Sequence, residues 1–328
     1  MILRILKSNH TVNYLLFPIF GILFWIKNLL FPNPSAFHSH KIESPVFGLI
    51  VKLTNDNLIL NSLLALFLVL FMALLIQQIN TRYNFIRMRT VLPAPLFIII
   101  IGGLTSLHTL HPVYFGAVFL LIAIYRSFSA FDQAKPYSAA FDTGFLIGLG
   151  SIFYFNLIII FPAFFIGISI LSRNYTWRPF VLAIMGFILP FLFVAAYAFF
   201  TDQLIVFFNN IIQSFSTNSG QFRFSIAQIV FIGYLITLTI FGSIKIIQQF
   251  DTKKVSTRKY FLVFFIIFIL SVSGYLLVPA ISREMLIIMC IPLTLLITNF
   301  FVFLKSRLLG EILFAVLLLI VITLQFLP

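Results

Sequence analysis

The sequence predicts an all-α, polytopic transmembrane helix bundle, folded as a single integral membrane domain over residues 1–328. Of the 328 residues, 61% are hydrophobic and only 9% are charged, whereas soluble domains carry about 25% charged residues. Apolar stretches recur along the chain at about the 20-residue length that crosses a bilayer. This composition excludes a soluble globular enzyme, a disordered chain and a disulfide scaffold, since Cys290 is the single cysteine.

Eleven apolar stretches are candidate spans. We interpret the first as a retained span and not a signal peptide, because its apolar core of about 18 residues is long and no small-residue cleavage site follows. The fifth and sixth meet at an aromatic turn near Tyr154, where one long helix and a re-entrant pair are alternatives. One helix over 140–172 would be about 50 Å long, too long for one crossing. The predicted limits are 13–31, 58–77, 91–107, 112–126, 140–155, 157–172, 179–200, 225–248, 260–278, 284–304 and 311–327.

The lysines and arginines of the connections predict the orientation. With these spans, 16 of the 21 basic residues fall on one side and 5 on the other. Cytoplasmic loops carry the excess of Lys and Arg, so the N-terminus is expected in the cytoplasm and the C-terminus outside. The net charge of +13 is then a property of membrane topology, and no nucleic-acid partner is needed to explain it.

Two outer loops, 32–57 and 201–224, are predicted to contain interfacial helices. In 204–215 the apolar residues recur at helical spacing, and Asn209 and Asn210 lie on the opposite face. A similar apolar pattern occupies 44–57. Such amphipathic segments lie in the plane of the membrane–water interface, with the lipid bilayer as their partner.

Four of the five histidines are also predicted on the outer side, and they suggest a divalent metal as a candidate cofactor. A His-x-His pair and a distant His-x-x-His pair, with Glu43 near the first, have metal-ligand chemistry. The alternative is that they are solvated interface residues. The four histidines are His38, His40, His108 and His111.

The segment 139–200 carries a resemblance. Its first span is rich in glycine and contains Gly144 and Gly148, whose spacing favours close helix packing. An aromatic hairpin, a second span and Trp177-Arg178 follow, and a third span contains Gly186 and Pro190. This plan resembles the central spans of GT-C-type glycosyltransferases, multi-pass enzymes that take sugars from polyprenyl-phosphate carriers. The whole chain resembles a family of bacterial multi-pass inner-membrane proteins of similar length.

The GT-C resemblance implies a catalytic acid in the first outer loop and basic residues that meet the carrier phosphate. Glu43 is the best match for the acid and Asp56 the second. The family often has paired acids where this chain has a single Glu, and this chain has no large soluble domain. The implied partner is a polyprenyl-phosphate-linked sugar in envelope glycan assembly. The outer basic candidates for its phosphate are Arg223, Arg283, Lys41 and Lys52.

Two other functions stay open at this stage. A non-catalytic subunit of an envelope complex, with other membrane proteins as partners, would explain the missing acid pair. A transporter or flippase usually keeps an acid or base at the middle of a span and shows inverted repeats, and the sequence has neither. The short cytoplasmic connections, of about 7–14 residues, leave no room for a nucleotide-binding domain.

Overall fold

The computed structural model describes residues 2–7, 13–31, 45–54, 57–86, 90–174, 176–216, 225–251, 253–278 and 283–326, and these contain helices and no strand. The all-helical prediction is confirmed for this part of the chain. The helices of the first half are α1 Ile2–Lys7, α2 Asn13–Leu30, α3 Pro45–Leu53, α4 Leu58–Tyr83, α5 Pro93–Gly102, α6 Pro112–Phe128 and α7 Tyr137–Phe153. Those of the second half are α8 Phe161–Leu171, α9 Arg178–Phe200, α10 Leu204–Ser216, α11 Ile226–Gln248, α12 Val255–Leu277, α13 Met285–Phe303 and α14 Arg307–Phe326.

Six of these helices are long and apolar enough to cross a membrane: α4, α9, α11, α12, α13 and α14. The other five predicted spans fall on helices of 18 residues or fewer. Only 17% of the most apolar window of α9 is buried, and Met185, Leu192 and Phe193 are among its exposed side chains. Apolar faces of this kind suggest a lipid bilayer around the bundle.

The contacts between helices define two opposite ends of the bundle. At the basic end, the Tyr83 hydroxyl at the end of α4 donates to the Tyr125 carbonyl in α6 at 2.7 Å, and Phe128 stacks on Tyr260 of α12. The end of α13 lies here too, because the Lys253 ammonium contacts both Phe261 of α12 and Phe303 of α13, and α14 starts four residues after Phe303. At the opposite end, which we call the histidine end, the ends of α2 and α14 meet the starts of α4, α6 and α13.

The segment 137–171 is a hairpin, so the single long helix considered above is wrong. Helix α7 ends where Tyr154 takes an extended conformation (φ −133°, ψ 94°), and a 3-10 turn, Phe155–Ile160, leads into α8. The Asp132 amide donates to the Leu171 carbonyl at 3.1 Å, and the Arg173 amide donates to the Gln133 carbonyl at 3.1 Å. The end of α8 therefore returns to the start of α7 at the basic end.

Glycines allow α7 and α9 to pack backbone to backbone. A Cβ added at Gly148 would lie 2.5 Å from the Phe187 carbonyl oxygen, and Cβ atoms at Gly144 and Gly186 would overlap the Ala183 and Phe141 carbonyls. Real Cβ atoms do not approach so closely, and only glycine fits at these crossings. The predicted packing role of Gly144 and Gly148 is confirmed.

Helix α5 is shorter than predicted. The span expected over 91–107 is α-helical only from Pro93 to Gly102, ten residues that are all buried, and a short 3-10 turn, Thr105–Leu107, follows. A rise of 1.5 Å per residue makes the α-helix about 15 Å long. A Cβ at Gly103 would overlap the ring of Phe231 from α11. The glycine pair thus admits a bulky ring where the helix stops, and an irregular segment, 103–111, continues along the histidine end.

Both amphipathic segments are helical, as predicted. Phe47 of α3 contacts Phe115 of α6 at 6.5 Å between ring centroids, and Phe207 of α10 contacts Phe155 at 6.4 Å. Both helices therefore pack at the histidine end. Phe207 is buried, whereas Phe208 and Ile212 of the same apolar stripe are exposed, so α10 keeps an unpacked apolar face.

Candidate functional site at the histidine end

Helices α6 and α13 begin side by side and are joined by a carboxylate–imidazole contact. His111 is the extended residue just before Pro112, which starts α6, and Glu284 directly precedes α13. The His111 Nδ1 lies 3.1 Å from Glu284 Oε1, and Thr109 Oγ1 lies 3.1 Å from His111 Nε2. Residues 173 positions apart in sequence thus form one polar chain.

This polar chain is buried, and its members hold one another in fixed orientations. Thr109, His111 and Glu284 expose 6%, 7% and 5% of their surface. A buried polar group is costly unless it is hydrogen-bonded, and the contacts among these three satisfy that requirement. A carboxylate fixed by an imidazole in a dry setting also has the chemistry of a general base or acid.

The segment 103–111 is anchored to α2 and α4 through one carbonyl. The Trp25 indole N–H and the Asn28 side-chain amide both donate to the His108 carbonyl oxygen at 3.0 Å. Asn28 also donates to Ser62 Oγ at 2.8 Å, and the Tyr114 hydroxyl donates to the Leu107 carbonyl. These bonds fix the backbone from which Thr109 and His111 project.

The ring of His108 lies flat against Trp25, with 4.0 Å between ring centroids. Burial lowers the pKa of His108 to about 4, although the Gly102 and Ile101 carbonyls act in the opposite direction. The imidazole is therefore neutral at neutral pH. Its Nε2 atom is buried and has no hydrogen-bond partner within the part of the chain that the structure describes.

The structure places four of the ten predicted site residues. Arg283 is adjacent to Glu284 and half-buried, and Lys52 is exposed in the last turn of α3. His108 and His111 contact different partners, as described above. The remaining predicted residues lie outside the described residues: Glu43, Asp56, Lys41, Arg223, His38 and His40.

No group of three His, Cys, Asp or Glu side chains in the described ranges could hold a metal ion. Because His38 and His40 are not among them, the four-histidine site stays a prediction. His111 already has partners at both ring nitrogens. A metal there would have to displace Thr109 or Glu284.

Glu284 is the site residue that sequence reasoning missed. The sequence pattern does not single it out, because its partner His111 is 173 positions away. An acid next to an arginine at the start of a long apolar helix is a weak signal on its own. At the same end Lys27 donates to the Gln325 carbonyl at 2.8 Å near the end of α14, where a cation is favourable.

Comparison of the chain with protein-family models, with curated proteins and with solved structures finds no match. What is shown is thus a class: a protein whose described residues form helices, six of them of membrane-spanning length and composition.

Proposed function

We propose that this chain is a multi-pass protein of the bacterial inner membrane, with eleven spans and its histidine end outside. The 16-to-5 division of basic residues and the six long apolar helices support this orientation. The inner-membrane assignment rests on the resemblance of the whole chain to bacterial inner-membrane proteins.

Cysteine labelling tests the orientation. Cys290 is replaced by alanine, and single cysteines are introduced as Lys254→Cys at the basic end and Gln203→Cys at the histidine end. A membrane-impermeant maleimide applied to intact cells should label only the Gln203→Cys protein. Labelling of Lys254→Cys alone would reverse the proposed orientation.

We further propose that the histidine end carries out GT-C-like transfer of a sugar from a polyprenyl-phosphate carrier to an acceptor hydroxyl. The observation that supports this is the buried Glu284–His111 pair beside Arg283, at the end where α3 and α10 lie. A substrate whose headgroup reaches the interface would meet a fixed carboxylate and a guanidinium there.

The chemistry assigns one role to each group. Glu284 takes the proton of the acceptor hydroxyl as that oxygen forms a bond to the anomeric carbon. The bond between the anomeric carbon and the phosphate oxygen breaks, and its electron pair leaves on polyprenyl phosphate. Arg283 stabilises that phosphate, and His111 keeps the carboxylate in place. Glu43 and Asp56 stay candidates for the same base.

The test is release of polyprenyl phosphate by the purified protein, together with surface glycans in a deletion strain complemented with variants. Glu284→Gln should lower the transfer rate by about 10²-fold or more, which is typical of a lost general base, with normal protein level. Asp202→Asn, an exposed acid at the same end, is the matched control and should remain active. A complete deletion with normal glycans would contradict the proposal.

One observation favours a second candidate, a non-catalytic membrane subunit. The imidazole of His111 has partners at both nitrogens, as a purely architectural link between α6 and α13 would have. In that case Glu284→Gln would leave glycans normal, and stoichiometric partner proteins would be recovered with the chain in mild detergent.

A further inference from the structure

A second buried polar cluster lies at the basic end, away from the site above. Lys253, in the connection between α11 and α12, exposes only 9% of its surface, and Asn299 of α13 exposes none. The Lys253 Nζ donates to Asn299 Oδ1 at 2.9 Å. The same ammonium lies 5.0 Å from the ring centroid of Phe261 and 5.1 Å from that of Phe303.

This cluster has donors without acceptors. An ammonium carries three donors and an asparagine amide two more, but a single hydrogen bond joins them. No carboxylate among the described residues pairs with Lys253. The Asn299 Nδ2 is buried without a partner in the described part of the chain. Burial also lowers the pKa of Lys253 to about 8, so most of the lysine is still charged at neutral pH.

The missing component must be an acceptor, and it must carry negative charge. The two aromatic faces offset part of the cost of burying the cation, but they accept no hydrogen bond from Asn299. Arg258, in the first turns of α12, has a buried Nε that also lacks a partner. Lys305 and Arg307 are exposed just beyond α13, which makes this end attractive to anions.

We propose that Lys253 and Asn299 form a binding site for the phosphate group of an anionic membrane lipid at the basic end of the bundle. A phosphate offers several acceptor oxygens, and lysine binds it as a point charge. Lys253 keeps a small exposed edge in the connection between two apolar helices, which is the level at which phospholipid headgroups lie. Phosphate from solution has the same chemistry and is distinguished by the experiment.

The experiment uses the full chain in maltoside micelles, which contain no phosphate. The probe is the rate at which an amine-reactive ester acylates Lys253, measured by peptide mass spectrometry in the Lys254→Gln variant, where the neighbouring exposed lysine is absent. Phosphatidylglycerol at ten times its dissociation constant should slow acylation about tenfold, the factor expected for simple site occupancy. In the matched Lys253→Gln variant, acylation of Lys254 should not respond.

Each arm decides one question. Protection by phosphatidylglycerol and not by inorganic phosphate supports a lipid headgroup, and equal protection by both supports a phosphate site that is also open to solution. Equal protection by uncharged diacylglycerol overturns the proposal, because apolar shielding then explains the effect. Absence of protection by any phosphate compound also overturns it.

A second variant keeps the test decisive if Lys253→Gln fails to fold. Asn299→Asp places a carboxylate of nearly the same shape beside the ammonium and supplies the missing anion internally. In this variant phosphatidylglycerol should no longer raise the apparent Tm, although it should do so in the wild-type protein. An unchanged lipid response in Asn299→Asp would contradict the site.

Discussion

At the histidine end one buried chain of polar side chains is matched member to member, although the nearby His108 Nε2 lacks a partner among the described residues, whereas at the basic end buried donors exceed the acceptors around them. Glu284, His111 and Thr109 form a closed chain, and the His108 carbonyl accepts two bonds. Lys253 and Asn299 share one bond and leave an amide unpaired. The first arrangement stabilises the protein as it stands, but the second is complete only with a ligand.

Removing a charged group is expected to lower the stability of the protein at the histidine end and to raise it at the basic end. Removing one member of a closed buried pair leaves its partner unsatisfied and is costly. Removing an uncompensated buried charge relieves a desolvation cost. Measuring the free energy of unfolding of variants at each end therefore tests whether the two ends differ as their contacts indicate.

The largest effect is expected for Glu284→Ala. Loss of the carboxylate leaves the buried His111 Nδ1 without its partner, and a buried polar group left unsatisfied in this way costs up to about 3 kcal/mol. Unfolding of the purified protein in a denaturing-detergent titration should show this loss. Glu284→Gln is the control, since its amide oxygen can still contact His111 and most of the stability should remain. Equal stability of the alanine variant and the wild type would mean that the pair contributes nothing to the fold.

The next effect concerns His108 and pH. The pKa of His108 in the folded protein, about 4, lies below the ordinary value of 6.5. Between pH 4 and pH 6.5 the unfolded state therefore binds the proton and the folded state does not. Stability from this group is therefore full above pH 6.5, is lost as the pH falls, and levels off near pH 4. The total is about 3 kcal/mol.

His108→Phe keeps a ring against Trp25 and removes the titration. The fall in apparent Tm between pH 7 and pH 4.5 should be smaller in this variant than in the wild type. Carboxylates titrate in both proteins, so the difference between the two pH profiles is the quantity to measure. Parallel profiles would show that His108 is not held neutral by burial.

Much of the helix layout could be predicted from the sequence, because it follows from apolar length and periodicity. The 204–215 stripe and the Gly144–Gly148 spacing are local patterns, and the structure confirms the helix and the close packing. The end of α5 was predicted wrongly, because Ile and Leu continue the apolar signal past Gly102. Only the ring of Phe231, from a distant helix, shows why the helix ends there.

The candidate sites depend on contacts that no local pattern carries. His111 and Glu284 meet because α6 and α13 start together, and Lys253 meets Asn299 across 46 positions. Lys253 was one of 16 basic residues predicted on one side, and nothing local marked it as buried. Side-chain burial at helix ends is set by tertiary packing, which is why these residues were not singled out.

Lys253→Met should change stability in the opposite direction from Glu284→Ala. In phosphate-free micelles at neutral pH, removal of the buried charge relieves its desolvation cost but leaves Asn299 Oδ1 without its donor, so the net gain in the free energy of unfolding should be about 1 kcal/mol. Since the folded pKa of about 8 lies below the ordinary 10.5, the wild type should itself become more stable as the pH rises from 8 toward 10.5.

The control for this prediction is Lys254→Met, at the neighbouring exposed lysine. It should change stability by less than about 0.5 kcal/mol, as surface substitutions usually do. If Lys253→Met is strongly destabilising in micelles without phosphate, the ammonium has an anionic partner in the protein besides Asn299, and the contrast between the two ends is lost.

The smallest effect is expected for Trp25→Phe, and its size depends on redundancy at the histidine end. The variant loses the indole N–H that donates to the His108 carbonyl, but Asn28 still donates to the same oxygen. The carbonyl stays satisfied, so the lost bond should cost about 1 kcal/mol. Asn28→Ala alone leaves the carbonyl satisfied by Trp25 but also loses the bond to Ser62 Oγ, so it should cost about 2 kcal/mol.

The double variant Trp25→Phe/Asn28→Ala leaves the His108 carbonyl without either donor. An unpaired buried acceptor costs about 1–3 kcal/mol beyond the separate losses, so the two substitutions should be more than additive in a double-mutant cycle. The cost of the volume lost when the indole becomes a phenyl ring cancels, because the cycle compares Trp25→Phe in the wild-type and in the Asn28→Ala background. Strict additivity would show that water reaches this carbonyl, and the histidine end would then be less closed than its contacts indicate.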